Sequence, residues 1–473
     1  MRRSCHTDRM DRSFEGVATL KEVYFIGIGG IGMSALARFF RERGVRVSGY
    51  DKTSSELTDT MEAEGIPIHF VEDSLRVPQQ PDRVVYTPAI PPEHRELIHY
   101  RQRGVPVLKR SEVLEIITTS SFNICIAGTH GKTTITSMVA HLLRDSGFGC
   151  NAFLGGISVN YGTNYWSHPR NVCVVEADEF DRSFLKLTPD VAVISAMDPD
   201  HLDVYGTAAD MEAAFIEFAG RLRPGGLLIG KAGLKRTDAL KAQPYLTYSA
   251  TDPQADAYAD AVRMEQGGYR FRLHCDGEVL DDLVLHMGGM HNLENAVAAV
   301  AVARYVGVSV AAIRDALAGY QGVKRRFEYV LRTERLVLID DYAHHPEELR
   351  ALIQGAHELF PGRRCTVLFQ PHLFSRTRDH ADGFAAVLDQ ADQVILLPIY
   401  PAREEPIAGV DSGMVLKRMR KAVVRIQTKE EVLDWAASVY RSELEQGPGL
   451  LIVAGAGDID RLVAPLKTIL EIA

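Results

Sequence analysis

The sequence predicts an α/β protein of three consecutive domains with mainly parallel sheets: a Rossmann-like N-terminal domain, a central domain of the P-loop ATPase type, and a Rossmann-like C-terminal domain. Three observations predict it. A short apolar strand, Val23 to Ile26, runs into the glycine turn Gly27 to Gly32 and then into a helical pattern from Met33 to Arg43. A second strand, Ile124 to Ala127, runs into Gly128-Thr129-His130-Gly131-Lys132-Thr133-Thr134 and another helix start. From there to the C-terminus, continuous apolar strands alternate with helical stretches, the signature of parallel sheets covered on both faces.

The first unit opens as a βαβ element, its second strand Val45 to Tyr50 ending at Asp51. Such an opening places a diphosphate at the helix N-terminus and an acidic residue about 20 positions on, near a ribose or base. The second unit holds the strands Val172 to Val175, Val191 to Ile194 and Gly226 to Ile229, then helices over Asn292 to Tyr305 and Val310 to Leu317. The third begins at Leu336 to Asp341 and adds strands at Cys365 to Phe369, Gln393 to Leu397 and Gly449 to Ala454. The expected limits are a loose extension over 1–20 and domains over 21–119, 120–327 and 328–473, with Met10 an alternative start. No internal repeat or low-complexity segment interrupts this order.

Length and charge narrow the function. The 473 residues are about three times a typical domain, and 46% apolar content suffices for several cores. With 62 acidic against 53 basic residues and a formal charge of −9, a nucleic-acid partner is not expected. The cysteines at 5, 125, 150, 173, 275 and 365 form no C-x-x-C pair and read as reduced thiols. No apolar run approaches the ~18 to 20 residues that span a bilayer, and the first twenty residues lack a signal peptide's apolar centre. A cytoplasmic enzyme acting on small molecules, monomeric or homodimeric, is the expectation.

The strongest chemical signal is the turn Gly128 to Thr134. Its glycines free backbone N–H groups for phosphate oxygens, the helix adds its positive end, and Lys132 and Thr133 supply a cation and a Mg²⁺-ligating hydroxyl. Ile126 stands where a standard Walker motif has its first glycine, so the loop is a shortened variant. Glu176 to Asp181 follows a strand and delivers carboxylates to the sheet's C-terminal edge; Glu176 with Thr133 suits a divalent cation, while the alternative is a solvated acidic loop. His201, flanked by carboxylates after another strand, is a candidate metal ligand or oxygen-binding group. Arg325 and Arg326 are candidates for neutralising a transferring phosphoryl group, an Asp of Asp340-Asp341 for holding a ribose, and Arg376 for a carboxylate. Each of these segments also has a reading as ordinary surface, and the glycine turn at 27–32 is shared with nicotinamide enzymes.

Taken together, Gly27 to Gly32, Gly128 to Thr134, Glu176 to Glu179, Asp200 to Asp203, His291 to Ala296, Lys324 to Glu328 and Asp340 to Pro346 occur in an order that resembles the Mur ligases from about residue 20 to the C-terminus. Met33-Ser34 after the glycine turn, Asp340 to Pro346 and Gln370-Pro371-His372 are similar to the branch of that family which adds L-alanine in peptidoglycan precursor synthesis. The resemblance implies ATP-dependent ligation of L-alanine to UDP-N-acetylmuramate through an acyl phosphate, with ATP and Mg²⁺ and no nicotinamide. It implies that Gly29, Gly30 and Gly32 approach the UDP diphosphate and Asp51 the uridine end. Gly128, Thr129, Gly131, Lys132, Thr133 and Thr134 would hold the ATP phosphates, Thr133 and Glu176 one Mg²⁺, and His201 a second. Asn292 and Asn295 would meet the adenine, Arg326 the phosphates, Asp341 the ribose, and Tyr342, His372 and Arg376 the amino acid. The same resemblance implies that Lys132, His201 and Arg326 form the catalytic set.

Sister ligases place a carbamoylated lysine about fifteen residues beyond the histidine equivalent to His201. No lysine lies between Leu202 and Gly230 here, which fits the alanine-adding branch and leaves Glu212 or Glu217 to orient a second metal. A murein peptide ligase, a nicotinamide oxidoreductase with an accessory ATP site and a non-catalytic nucleotide-binding module remain the competing readings.

Overall fold

Runs of β-branched and apolar residues too short for helices form the centres of three sheets. In the computed structural model, the described residues are 10, 19–180, 182–198, 202–241, 244–265, 267–402, 404–420 and 424–471. The first sheet joins β1 (Glu22–Ile26), β2 (Arg46–Tyr50), β3 (Ile68–His69), β4 (Arg83–Tyr86) and β5 (Val107–Lys109) in the order β3-β2-β1-β4-β5, all parallel. The order reverses beside β1, and the glycine turn leaves β1 at that switch point, where open α/β sheets place ligands.

The second sheet has ten strands. They are β6 (Phe122–Ala127), β7 (Asn151–Ser158), β8 (Thr163–Trp166), β9 (Val172–Glu176), β10 (Val191–Ile194), β11 (Leu227–Lys231), β12 (Tyr245–Ser249), β13 (Ala257–Glu265), β14 (Gly268–Cys275) and β15 (Glu278–Leu285), in the order β15-β14-β13-β12-β11-β10-β6-β9-β7-β8. Its centre is parallel, with β6 between β10 and β9 and buried at every residue. β7 and β8 form an antiparallel hairpin. The third sheet comprises β16 (Glu328–Arg332), β17 (Leu336–Asp341), β18 (Arg364–Phe369), β19 (Gln393–Leu396), β20 (Val424–Ile426) and β21 (Gly449–Ala454) in the order β16-β17-β21-β18-β19-β20, antiparallel only at β16.

The strands β7, β8 and β13 to β15 are absent from a reading that looks for apolar runs. β14 explains why: its residues alternate between buried and half-buried, so its apolar content is spread over every second position. The helix expected from Asn292 starts earlier, at Met290, and takes in His291.

The chain forms two compact units. One comprises residues up to Ala261 with 271–283 and 294–320; the other comprises 262–270, 284–293 and 321 onward. The first unit contains the first sheet together with most of the second, and one apolar cluster serves both: Phe39, on the helix Ile31–Glu42, packs at 5.6 Å from Phe153 and 6.2 Å from Tyr165. Buried Asn164 of β8 reinforces that packing, donating to the Ile31 carbonyl at 2.5 Å and the Ser34 hydroxyl at 3.0 Å and accepting from Arg38 at 2.5 Å. Arg38 in turn pairs with Glu64 at 2.8 Å. Met10, within the expected loose extension, is buried, and its carbonyl accepts from the Asn171 N–H at 2.7 Å. The rest of residues 1–18 lie outside the described residues. The five described cysteines are buried free thiols, and no described helix is long and apolar enough to cross a membrane.

Candidate functional site

The phosphate loop is shaped by contacts that only glycine permits. Gly128 has φ +133°, and a Cβ there would stand 2.2 Å from the Ser195 Oγ and 2.8 Å from the Ala196 N. The end of β10 is stitched to the loop: the Ser195 N–H donates to the Ala127 carbonyl at 3.0 Å, Thr129 donates to the Ala196 carbonyl at 3.2 Å, and the Ser195 hydroxyl donates to the His130 carbonyl. Gly131 caps the helix Lys132–Asp145 in the left-handed conformation at φ +82°, and a Cβ there would meet the Asn295 Oδ1 at 2.8 Å. Asn295, expected near an adenine, therefore lies against the loop itself. Asn292, one turn earlier, is buried and donates to the Gly288 carbonyl at 2.6 Å.

Lys132 has two partners. Its Nζ donates to the Gly128 carbonyl at 2.8 Å and pairs with the Glu179 Oε1 at 2.7 Å. Glu179 is almost fully buried, its second oxygen has no partner among the described residues, and burial pushes its carboxyl above the usual range while Lys132 pulls it down. A buried carboxylate in that position is costly unless paired. The lysine is thus charge-neutralised within the protein, held between the Gly128 carbonyl and a buried carboxylate. Glu179 belongs to the acidic run Glu176 to Asp181, and the 47 residues that separate it from Lys132 close only in the fold.

Glu176 ends β9 in register with Ile126, two residues before Gly128, and its Oε1 accepts from the Gly155 N–H at 2.8 Å. Thr133, in the first turn of the helix, is buried, as is Thr134. Among the described residues no group of three or more His, Cys, Asp or Glu is placed to hold a metal. One carboxylate and one hydroxyl at a phosphate loop fit Mg²⁺, which takes few protein ligands and fills its shell with phosphate oxygens and water. His201 lies outside the described residues. Glu212 is 3.9 Å from Lys235, and Glu217 pairs at 3.2 Å with Arg221, which caps the C-terminus of its helix.

At the other glycine turn, the N–H groups of Gly27 and Ile28 donate to the Tyr50 carbonyl, and the Gly29 N–H donates to the Asp51 Oδ2 at 2.8 Å. Asp51 thus braces the turn that it was expected to serve at the uridine end. Gly30 caps the helix Ile31–Glu42 in an extended conformation.

The second unit separates the two arginines that the sequence left side by side. Arg325 turns inward, to the carbonyls of Gly455 and Gly457 and to Asp460 at 3.3 Å, with its guanidinium 5.1 Å above the Tyr342 ring. Arg326 is exposed between two residues in the left-handed region, Arg325 at φ +62° and Phe327 at φ +48°. Asp341 fastens this turn, accepting from the Phe327 and Ala343 N–H groups at 2.7 Å each. His372 and Arg376 sit one helical turn apart at 3.4 Å, and His372 lies 6.1 Å from His344, which is 5.2 Å from Tyr342. The three expected amino-acid residues are therefore linked by His344, which the sequence did not single out. Burial, with Arg376 and His344 nearby, pushes the His372 imidazole down to about 4, so it is neutral at physiological pH.

Asp340 titrates across the physiological range. It is buried 3.8 Å from Arg325, and burial pushes its carboxyl up to about 8 against the pull of that guanidinium. An unfolded aspartate has lost its proton above about pH 4, so the native chain holds a proton that the unfolded chain has released. This contribution to stability is complete below that pH and is lost as pH rises through the folded value. Between pH 5 and 8 the melting temperature of the parent chain should fall more steeply than that of Asp340→Asn; parallel profiles would contradict the assignment.

Residues 22–121 match the Mur ligase family catalytic domain, 126–303 the Mur ligase middle domain and 325–457 the Mur ligase glutamate ligase domain. The chain is 46% identical over 459 residues to the UDP-N-acetylmuramate–L-alanine ligase of Porphyromonas gingivalis, covering 96% of this chain and 99% of that one. The chain belongs to the Mur ligase family. A relative from Parabacteroides distasonis bearing the same name is 47% identical over 457 residues, 95% of this chain and 97% of its own. Among solved structures, the UDP-N-acetylmuramate–alanine ligase of Thermotoga maritima superposes with a TM-score of 0.80 at 28% identity, covering 96% of this chain and 99% of that one. Membership of the Mur ligases makes this chain an ATP-using ligase, and it bears out the three-domain α/β architecture expected from the sequence.

Proposed function

We propose that this Mur ligase joins L-alanine to the lactyl carboxylate of UDP-N-acetylmuramate, giving UDP-N-acetylmuramoyl-L-alanine, ADP and phosphate. The observation that carries the reading is the phosphate loop with Lys132 suspended between the Gly128 carbonyl and buried Glu179. The names of the 46–47% identical relatives support the choice of alanine as the amine.

A carboxylate is a poor electrophile, so its oxygen first attacks the γ-phosphorus of ATP and ADP leaves, forming an acyl phosphate. The amine of L-alanine then adds to the carbonyl carbon, loses a proton, and the tetrahedral adduct expels phosphate. Two anions meet in the first step. Lys132 and the loop N–H groups face the transferred phosphoryl group, and Arg326 supplies a second cation. Mg²⁺, held by Thr133 and Glu176 when bound, adds charge neutralisation at the phosphates. Gly29, Gly30, Gly32 and Asp51 bind the sugar nucleotide, Asn292, Asn295 and Asp341 the nucleoside of ATP, and Tyr342, His372 and Arg376 the alanine. A neutral His372 beside Arg376 leaves the arginine as the cation for the alanine carboxylate. The domain limits at 119/120 and 327/328 and a cytoplasmic location belong to the same reading.

Phosphate release on mixing ATP, UDP-N-acetylmuramate and one amino acid tests it. Release should require all three and be fastest with L-alanine. A chain that accepts the tripeptide L-alanyl-γ-D-glutamyl-meso-diaminopimelate in preference to alanine is instead a murein peptide ligase.

A further inference from the structure

The glycine at position 32 needs a reason of its own. It is the second residue of the helix Ile31–Glu42, and its backbone is not in the left-handed region that would call for glycine. The space above it supplies the reason: a Cβ there would stand 2.5 Å from the Arg110 Nη1 and 3.1 Å from its Cδ. The Arg110 side chain rests directly on the first turn of the helix, where the glycine turn ends. Its own backbone is fixed, since Arg110 begins the helix Arg110–Thr119 and the Lys109 N–H before it donates to the Glu112 carboxylate at 2.6 Å.

Among the described residues, the hydrogen bond that holds this guanidinium is a single long one, 3.3 Å to the Asp178 Oδ2, with the Arg110 side chain 31% exposed. The Asp178 carboxylate is oriented by the Phe180 N–H at 3.2 Å. A guanidinium has five N–H donors in a planar fork that matches phosphate oxygens bidentately. Among the described residues, one weak contact leaves most of them available.

We propose that Arg110 is a binding residue for the diphosphate of the sugar nucleotide, parked over Gly32 by Asp178 until the diphosphate takes its guanidinium. This deepens the ligase reading and rests on it. Asp178 immediately precedes Glu179, which holds Lys132. One acidic loop therefore restrains a cation at each of the two anion sites, and each cation is released to a phosphate ligand that offers more charge than a carboxylate.

Calorimetric titration of the full chain with UDP-N-acetylmuramate and, separately, with ATP tests the assignment in the parent, Arg110→Ala and Arg110→Lys. UDP-N-acetylmuramate affinity should fall at least tenfold in Arg110→Ala and recover in part in Arg110→Lys, with ATP affinity and melting temperature unchanged. A smaller loss overturns the proposal. So does a loss shared by ATP affinity and melting temperature, which marks a structural role, or a failure of lysine to recover any affinity. Asp178→Asn should keep UDP-N-acetylmuramate affinity within threefold of the parent, and a tenfold loss there overturns the assigned parking role. A parent chain that binds no UDP-N-acetylmuramate defeats the ligase reading itself, and the Arg110 assignment with it.

Discussion

Lys132→Ala should lower ligation by roughly 10²- to 10³-fold, the usual effect of deleting one preorganised charge at a developing anion, while UDP-N-acetylmuramate still binds. The structure adds a second consequence. Lys132 neutralises Glu179, a carboxylate left 1% exposed. Removing the lysine strands that charge in the interior, and breaking a buried pair from one side typically costs about 3–5 kcal/mol. The single variant should therefore melt at a lower temperature as well as lose activity. The pair Lys132→Ala with Glu179→Gln separates the effects: most of the melting temperature returns and ligation does not. Near-normal turnover in Lys132→Ala, or recovery of activity in the double variant, would contradict the role given to the lysine.

Gly128→Ala should be nearly as damaging, and Gly131→Ala much less so. Both glycines have positive φ, which costs a non-glycine residue about 1–2 kcal/mol in the left-handed region. The difference lies in what a methyl group meets. At Gly128, with φ +133°, it strikes the Ser195 Oγ at 2.2 Å and the Ala196 N at 2.8 Å, and the second of these is backbone, held just past the end of β10 by hydrogen bonds to the loop. At Gly131 the obstacle is the Asn295 Oδ1 at 2.8 Å, the end of a side chain that can turn aside. ATP affinity measured by calorimetry should fall at least about 100-fold for the first, because the loop must move off the end of β10, and by roughly tenfold for the second. Equal losses would mean that the loop tolerates displacement at Ser195.

Much of this site is local in sequence and for that reason legible there. Strand, glycine turn and helix start follow one another within a dozen residues at both Gly27 to Gly32 and Gly128 to Thr134, and the structure builds both as expected. What the sequence hides is pairing across distance. Glu179 reaches Lys132, Asp178 reaches Arg110 and Asn164 reaches Ile31 only because β9, β6 and the β7–β8 hairpin bring them there. The twin arginines illustrate a different limit. Arg325 and Arg326 look alike in sequence, but a left-handed residue on either side of Arg326 turns one inward to Asp460 and leaves the other exposed. The missed strands fail for a third reason, since half-buried strands such as β14 spread their apolar residues over alternate positions.

The central claim is that ATP activates a carboxylate which an amine then captures. It is tested most directly with UDP-N-acetylmuramate labelled with ¹⁸O in its lactyl carboxylate, followed by mass spectrometry of the phosphate released during ligation to L-alanine. One ¹⁸O should appear in each phosphate, because the oxygen that attacks the γ-phosphorus departs with it. Unlabelled phosphate alongside amide product would contradict the account.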